Sequence, residues 1–371
     1  MKEYSQVAKR IRLVATAAAL VPLALLAAAC GSSSPSPTST SSSATSASAS
    51  GKSISETGST LLFPLFGAWQ SAYNTADPNI TITSGATGSG TGISDAATGL
   101  VNIGASDAYL SSSNMSQYPG LMNIPLTVAA LDVNYNVSGV KKPLNLNGTV
   151  LAQIYTGKIT TWNDPAIAKL NPGVSLPAEK IVTLHRGDSS GSTFLFTSYL
   201  NAQDPSAWSS SNIGTTITWP SAPGALAETG SGGMLSACGT TKGCIAYLGI
   251  SYLTKATTAG LGTASLADKS GKFQAPATAT INSAVASFPA PPASGAESLI
   301  NSSSGYPIIN YEYAIVKKTQ PSAAEAASVK KFLNWVLTTG NSSTYLSTVG
   351  FQPMPSAAST VATTLVNSIS G

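Results

Sequence analysis

Residues 181–196 read IVTLHRGDSSGSTFLF, and the fold follows from how that string changes character. An apolar run over 180–184 is expected as a buried strand. A small, polar turn follows, and Phe194 opens a helical pattern. Strand, glycine-bearing turn and helix make up the repeating unit of an α/β fold, whose ligands bind beyond the carboxyl ends of the strands. Reading outward, helices are expected over 61–73, 93–98, 150–155, 194–200 and 323–337. Strands are expected over 79–83, 101–105, 128–137 and 306–316, and residues 277–304 as partly surface loop. The alternation predicts an α/β chain with mostly parallel sheets and helices on both faces.

Arg186 closes the apolar strand, where a surface arginine would be out of place. The chain has two other arginines, Arg10 and Arg12, and its one histidine is His185. A guanidinium offers a planar charged fork that matches phosphate or carboxylate. The turn that follows contains Asp188, Ser190, Gly191 and Ser192 and leads into a helix start, where free N–H groups favour an anion. The structural alternative is an Arg186 paired only with Asp188.

Two further segments share this grammar. Gly58, Ser59 and Thr60 precede the first helix and can cap it. Residues 85–92 supply glycines and the hydroxyl of Ser89, without the Lys of a P-loop or the spacing of a dinucleotide fingerprint. Three Ser/Gly-bearing helix starts with one guanidinium suit a buried tetrahedral oxyanion. Asp107, after the short strand 101–105, would repel such an ion unless the ion brings a proton. Phosphate carries one near neutral pH and sulfate does not. A site built on a ligand's hydrogen bond discriminates by roughly 10⁴- to 10⁵-fold. A helix cap or turn is the structural alternative for Asp107.

The N-terminal region has a different composition. Lys2, Lys9, Arg10 and Arg12 precede an apolar run over 13–29 that ends at Cys30, the pattern of a secretory signal peptide over 1–29. Ala28, Ala29, Cys30 and Gly31 resemble the lipobox of bacterial lipoproteins, with Ala27 at the usual Leu position, which implies a lipid-modified Cys30. Residues 30–53 are largely Ser, Thr, Ala and Pro and read as a disordered tether. Four of the 19 basic and one of the 15 acidic residues lie before Cys30, leaving 15 against 14. The overall basic balance therefore belongs to the export signal and is no argument for nucleic acid. Cys238 and Cys244 are expected to form a disulfide in an exported chain. A two-cysteine metal site is the rival, with no His nearby.

The rival class is a secreted serine hydrolase, since Gly187-Asp188-Ser189-Ser190-Gly191 satisfies G-x-S-x-G. His185 would have to be its base, yet it precedes the serine by four residues. A metal-dependent phosphatase lacks ligands, and a binding protein for another oxyanion, such as sulfate or molybdate, conflicts with Asp107.

The strings GSTLLFPLF (58–66), TGSGTGI (87–93), NIGASDAYL (102–110), LHRGDSSGSTFLF (184–196) and GYPIINYEYAIV (305–316) resemble the phosphate-binding lipoproteins of actinobacterial ABC uptake systems. The resemblance runs from about residue 54 to the C-terminus. It implies a two-lobed periplasmic-binding-protein fold (type II) with the ligand in the interlobe cleft, lobe 1 over 54–127 plus 305–371 and lobe 2 over 128–304. It implies phosphate held by Ser59, Thr60, the Leu61 backbone, Ser89, Asp107, Arg186, Ser190, Gly191 and Ser192, with Asp188 supporting Arg186. It further implies an exported, membrane-anchored monomer without enzymatic activity or cofactor, delivering phosphate to permease subunits and their ATPase.

Overall fold

The computed structural model describes residues 52–140 and 142–371. The signal segment, Cys30 and residues 31–51 of the tether lie outside them. Along the chain run β1 (Lys52–Gly58), α1 (Phe63–Ala76), β2 (Ile80–Thr83), α2 (Ser89–Thr98), β3 (Ile103–Ser106), α3 (Ser112–Gln117) and β4 (Leu121–Asn136). Next come β5 (Asn145–Leu146), α4 (Gly148–Tyr155), α5 (Pro165–Leu170), β6 (Val182–Arg186), α6 (Gly191–Gln203), β7 (Leu226–Glu228), α7 (Gly230–Thr240) and β8 (Cys244–Gly249). The remainder comprises α8 (Leu253–Thr258), β9 (Gly262–Thr263), β10 (Ser265–Ala267), β11 (Phe273–Gln274), α9 (Thr278–Val285), β12 (Ile309–Lys317), α10 (Ala323–Leu337), α11 (Ser343–Leu346) and α12 (Ser356–Asn367).

The main sheet has the order β2-β1-β3-β12-β4-β8-β6-β7, with β9 also on β4. Its flanks are parallel: β1 pairs with β2 and β3, and β6 with β8 and β7. Its centre is antiparallel, because β12 pairs with β3 and β4, and β4 pairs with β8 and β9. The expectation of mostly parallel sheets therefore holds on the flanks and gives way to mixed pairing at the two long strands. Those strands are buried nearly throughout, as strands covered on both faces are.

β4 spans both halves of the sheet. Its residues 121–130 pair with β12, and its residues 131–136 pair with β8. Pro125 sits inside this central strand, where its missing N–H would break a ladder. The pairing with β12 slips at Glu312/Tyr313, next to Pro125, and this bulge accommodates the proline.

Several bounds differ from the sequence expectation for local reasons. The tether expected through Ser53 yields to β1 at Lys52, whose register partner is Ile80. The first helix starts at Phe63, because residues 60–62 form a turn closed by Leu62 N–H donating to Ser59 Oγ at 2.9 Å. The second helix begins at Ser89, four residues early, since Gly88 takes φ 95° and turns the chain into it. Gly92 lets that helix lie directly on the sheet: a Cβ there would stand 2.7 Å from Thr57 O and 2.8 Å from Ala105 O. α7, β8 and α12 had no sequence expectation. Cys238, two residues before the end of α7, is tied by a disulfide to Cys244, the first residue of β8, with Cα atoms 5.4 Å apart.

Candidate anion-binding site

Five chain segments meet at one place: the turns after β1, β2, β6 and β7 and the end of β3. The carboxyl end of β6 delivers Arg186, whose side chain is 2% exposed. Its backbone N–H donates to Tyr247 Oη at 2.9 Å, which fixes the strand end from beneath. The guanidinium is shared in two directions. Nε donates to Asp188 Oδ1 at 2.6 Å and Nη2 donates to Asp188 Oδ2, while Nη1 donates to Thr60 Oγ1 at 3.2 Å. The ion pair with Asp188, weighed from the sequence as the structural alternative, is present, and the guanidinium also reaches Thr60 ahead of the first helix.

Asp188 is itself held from a second side, accepting from Gly230 N–H at 3.2 Å. Burial opposes its charge, but the Arg186 guanidinium and these hydrogen bonds outweigh burial and hold the carboxyl below its ordinary range.

Asp107 lies across from Arg186, buried at the end of β3. Ser59 Oγ donates to its Oδ1, and Ser192 Oγ donates to its Oδ2 at 2.7 Å. Its backbone N–H donates to Ser89 Oγ at 3.2 Å. The carboxyl thus collects hydroxyls from two helix starts and caps neither helix. α3, the helix that follows, is capped by Ser111 instead.

The last turn completes the cluster. Gly191 begins α6 within touching distance of the opposite side: a Cβ there would stand 2.7 Å from Asp107 Cβ and 2.8 Å from Ser89 Oγ. First-turn N–H groups have no intrahelical partner, so Gly191 and Ser192 bring donors as well as proximity. Ser190 Oγ is buried and has no hydrogen-bond partner among the described residues. Leu61 is buried, and its carbonyl accepts from Ser251 Oγ at 2.7 Å. Ser59, Ser89, Asp107, Gly191 and Ser192 are joined by hydrogen bonds or close approach, as are Thr60, Arg186 and Asp188, and the adjacent Ser59 and Thr60 link the two groups, while Leu61 and Ser190 adjoin them in the chain and are buried.

Sequence reasoning passed over two members. Ser231, at the start of α7, shares a hydrogen bond of 2.8 Å with Thr60 Oγ1 and donates to it from its N–H at 3.1 Å. The run Thr229-Gly230-Ser231-Gly232-Gly233 carried the same small-residue grammar as the other helix starts. Glu312 on β12 is fully buried, accepts from Asn310 Nδ2 at 2.8 Å, and has its Oε2 3.4 Å from Ser59 Oγ. A single acid inside the apolar string INYEYAIVK was its signal.

The hydrolase alternative has no geometry behind it. Ser189 Oγ donates to Thr215 Oγ1 at 3.1 Å. His185 packs on Trp219 at 4.8 Å between ring centroids, and its burial lowers its basicity.

Comparison with known proteins supplies independent findings. The PBP superfamily domain matches residues 39–339. A phosphate-binding protein PstS of Methanocaldococcus jannaschii is 32% identical over 338 residues, covering 85% of this chain and 86% of that protein. The phosphate-binding protein PstS 3 of Mycobacterium leprae is 31% identical, covering 85% and 87%. In fold, the chain is similar to the crystal structure of a phosphate-binding protein from Stenotrophomonas maltophilia, with a TM-score of 0.65 at 21% identity over 84% of this chain and 93% of that one.

Proposed function

This chain belongs to the PBP superfamily, and from that membership we propose that it captures inorganic phosphate outside the cell and delivers it to an ABC importer. The observation that carries the reading is the buried pairing of opposites: one guanidinium and several hydroxyl and peptide donors converge on a site that also contains the acceptor Asp107. An anion stripped of water needs those donors. Only an anion that keeps a proton can also satisfy the carboxyl, and phosphate does so at neutral pH.

In this reading Ser59, Thr60, Ser89, Ser190, Ser192, the Arg186 fork and the peptide groups of Leu61 and Gly191 line the ion, with Asp107 accepting its proton and the Ser59 and Ser192 hydroxyls orienting that carboxyl. The buried, unpartnered Ser190 hydroxyl supports this, because such a group is costly unless a ligand satisfies it. Asp188 holds the guanidinium in place. Lobes of 54–127 plus 305–371 and 128–304 would close over the ion, turning about β4 and the segment near Tyr306. Anchoring through a lipid on Cys30, a tether, and transfer to a two-subunit permease with its ATPase complete the proposal.

Calorimetry with phosphate, arsenate and sulfate tests it. Phosphate is expected to bind one to one, arsenate to bind because it shares the shape and the proton, and sulfate to bind far more weakly. Sulfate binding as tight as phosphate would overturn the assignment. Turnover of ester or phosphoester substrates by the purified protein would favour an enzyme instead.

A further inference from the structure

Glu312 stands behind Asp107, outside the set of residues assigned to the ion. Four elements enclose it. Asn310 on its own strand donates Nδ2 to its Oε1 at 2.8 Å and to the Asp107 carbonyl at 3.2 Å. Ser59, ahead of α1, lies 3.4 Å from its Oε2. Asp107, at the end of β3, is its charged neighbour, and Thr127 of β4 is its partner in register. The bulge that admits Pro125 falls at Glu312, and bulges beside functional sites re-aim side chains.

The valences of Ser59 decide what Glu312 must be. A serine hydroxyl has one hydrogen and two lone pairs. The hydrogen can go to Asp107 Oδ1 or to Glu312 Oε2, and the much shorter contact, to Asp107, takes it, while one lone pair accepts from Leu62 N–H at 2.9 Å. The remaining lone pair faces Glu312 Oε2. An ionised Glu312 would set lone pair against lone pair, next to a second carboxyl and away from water. A protonated Glu312 would donate there, while its Oε1 accepts from Asn310.

We propose that Glu312 is a specificity-determining positioning residue: it keeps the one proton of the Glu312–Asp107 pair and, through Ser59, presents Asp107 to the ligand as a pure acceptor. Burial, and after it the charge of Asp107, pushes the Glu312 carboxyl well above its ordinary range, in agreement with this assignment. The charge count agrees too. Asp188 already neutralises Arg186, so a second negative charge behind Asp107 would oppose any anion. A mobile proton shared freely within the pair would also blur the choice of ligand, because a protonated Asp107 could donate to an anion that carries no proton. This inference rests on the phosphate reading of the same site.

The test compares Glu312→Met and Glu312→Gln by calorimetry with phosphate and sulfate at neutral pH, alongside infrared spectra of the wild type and the Gln variant. Methionine fills the space without a donor or acceptor, leaving Ser59 and Asn310 unmatched, and is expected to weaken phosphate binding about tenfold or more. Glutamine can donate to Ser59 and accept from Asn310 as a protonated acid does, and is expected to rescue both the affinity and the preference over sulfate. The wild-type-minus-Gln infrared spectrum is expected to show the carbonyl stretch of a protonated carboxylic acid. A methionine variant that binds like the wild type would overturn the role. So would a glutamine variant altered as much as the methionine one, or a carboxylate band in place of the acid band. If the wild type gives no heat with phosphate, the function reading fails, while the infrared spectrum still decides where the proton lies.

Discussion

Replacing Arg186 by Ala removes the fork that links Asp188 to Thr60 and leaves the half-buried Asp188 without its cation. Phosphate affinity is expected to fall by about 2–5 kcal/mol, the usual cost of truncating one partner of a buried charged pair, measurable by calorimetry. Asp107→Asn should act differently. The amide keeps the size of the side chain but can present a donor where the ligand's proton would sit. Phosphate should weaken and sulfate strengthen, so that their affinity ratio contracts by at least about tenfold. An unchanged ratio would remove Asp107 from the selective step. The two substitutions separate strength from choice: the first should weaken all oxyanions alike, and the second should mainly reorder them.

At the scale of the element, what the sequence made legible was the junctions. The strings around Ser59, Ser89, Asp107 and Arg186 could be read because a strand end, a small polar turn and a helix start each carry their own chemistry. Their meeting at one point follows from the parallel register of β1 with β3 and of β6 with β7. Glu312 was passed over for the opposite reason, although its acid stood out in INYEYAIVK. It sits in mid-strand, and only the slip opposite Pro125 turns it toward Ser59. β8 was missed because Cys244–Gly249 is a short apolar run without alternation, which periodicity alone cannot distinguish from a buried helical segment. The disulfide joining α7 to β8 closes a small loop in which Cys238 and Cys244 are both fully buried. Replacing both cysteines by Ser should lower stability by about 2 kcal/mol from loop entropy, with a further loss from burying two hydroxyls. Denaturant melts of the two proteins would show the difference as a lower midpoint.

At the scale of the whole molecule, two acids in different parts of the fold have opposite pH behaviour. Asp188 has its carboxyl held below the ordinary range, so the stability it contributes is present above the ordinary value and is lost as pH falls through the lowered one. Asp132 is the reverse. It is fully buried on β4 with neither oxygen paired among the described residues, and burial raises its carboxyl far above the ordinary value of about 3.9. Folding therefore favours its protonated form. The associated stability is complete below the ordinary value and drains away as pH climbs toward the raised one. Asp132→Asn cannot ionise and should be the more stable protein, by roughly 1–3 kcal/mol at pH 8, with a smaller advantage at pH 5. Thermal melts at both values check the sign. A gain that is larger at pH 5 would contradict it.

The bond between Arg186 and Asp188 also shapes how the protein meets its ligand. A bare guanidinium would project an attractive field, but this one is matched by a carboxylate two residues away, and the chain beyond Cys30 is nearly neutral. Long-range steering, which speeds association and collapses as counter-ions accumulate, has little to act on here. The bimolecular rate constant in stopped flow should change by less than about threefold between 0.01 M and 1 M ionic strength, although the Debye length shrinks from about 30 Å to about 3 Å over that span. Attraction would then begin only once the anion is inside, and collision frequency would be the same in dilute and in saline surroundings.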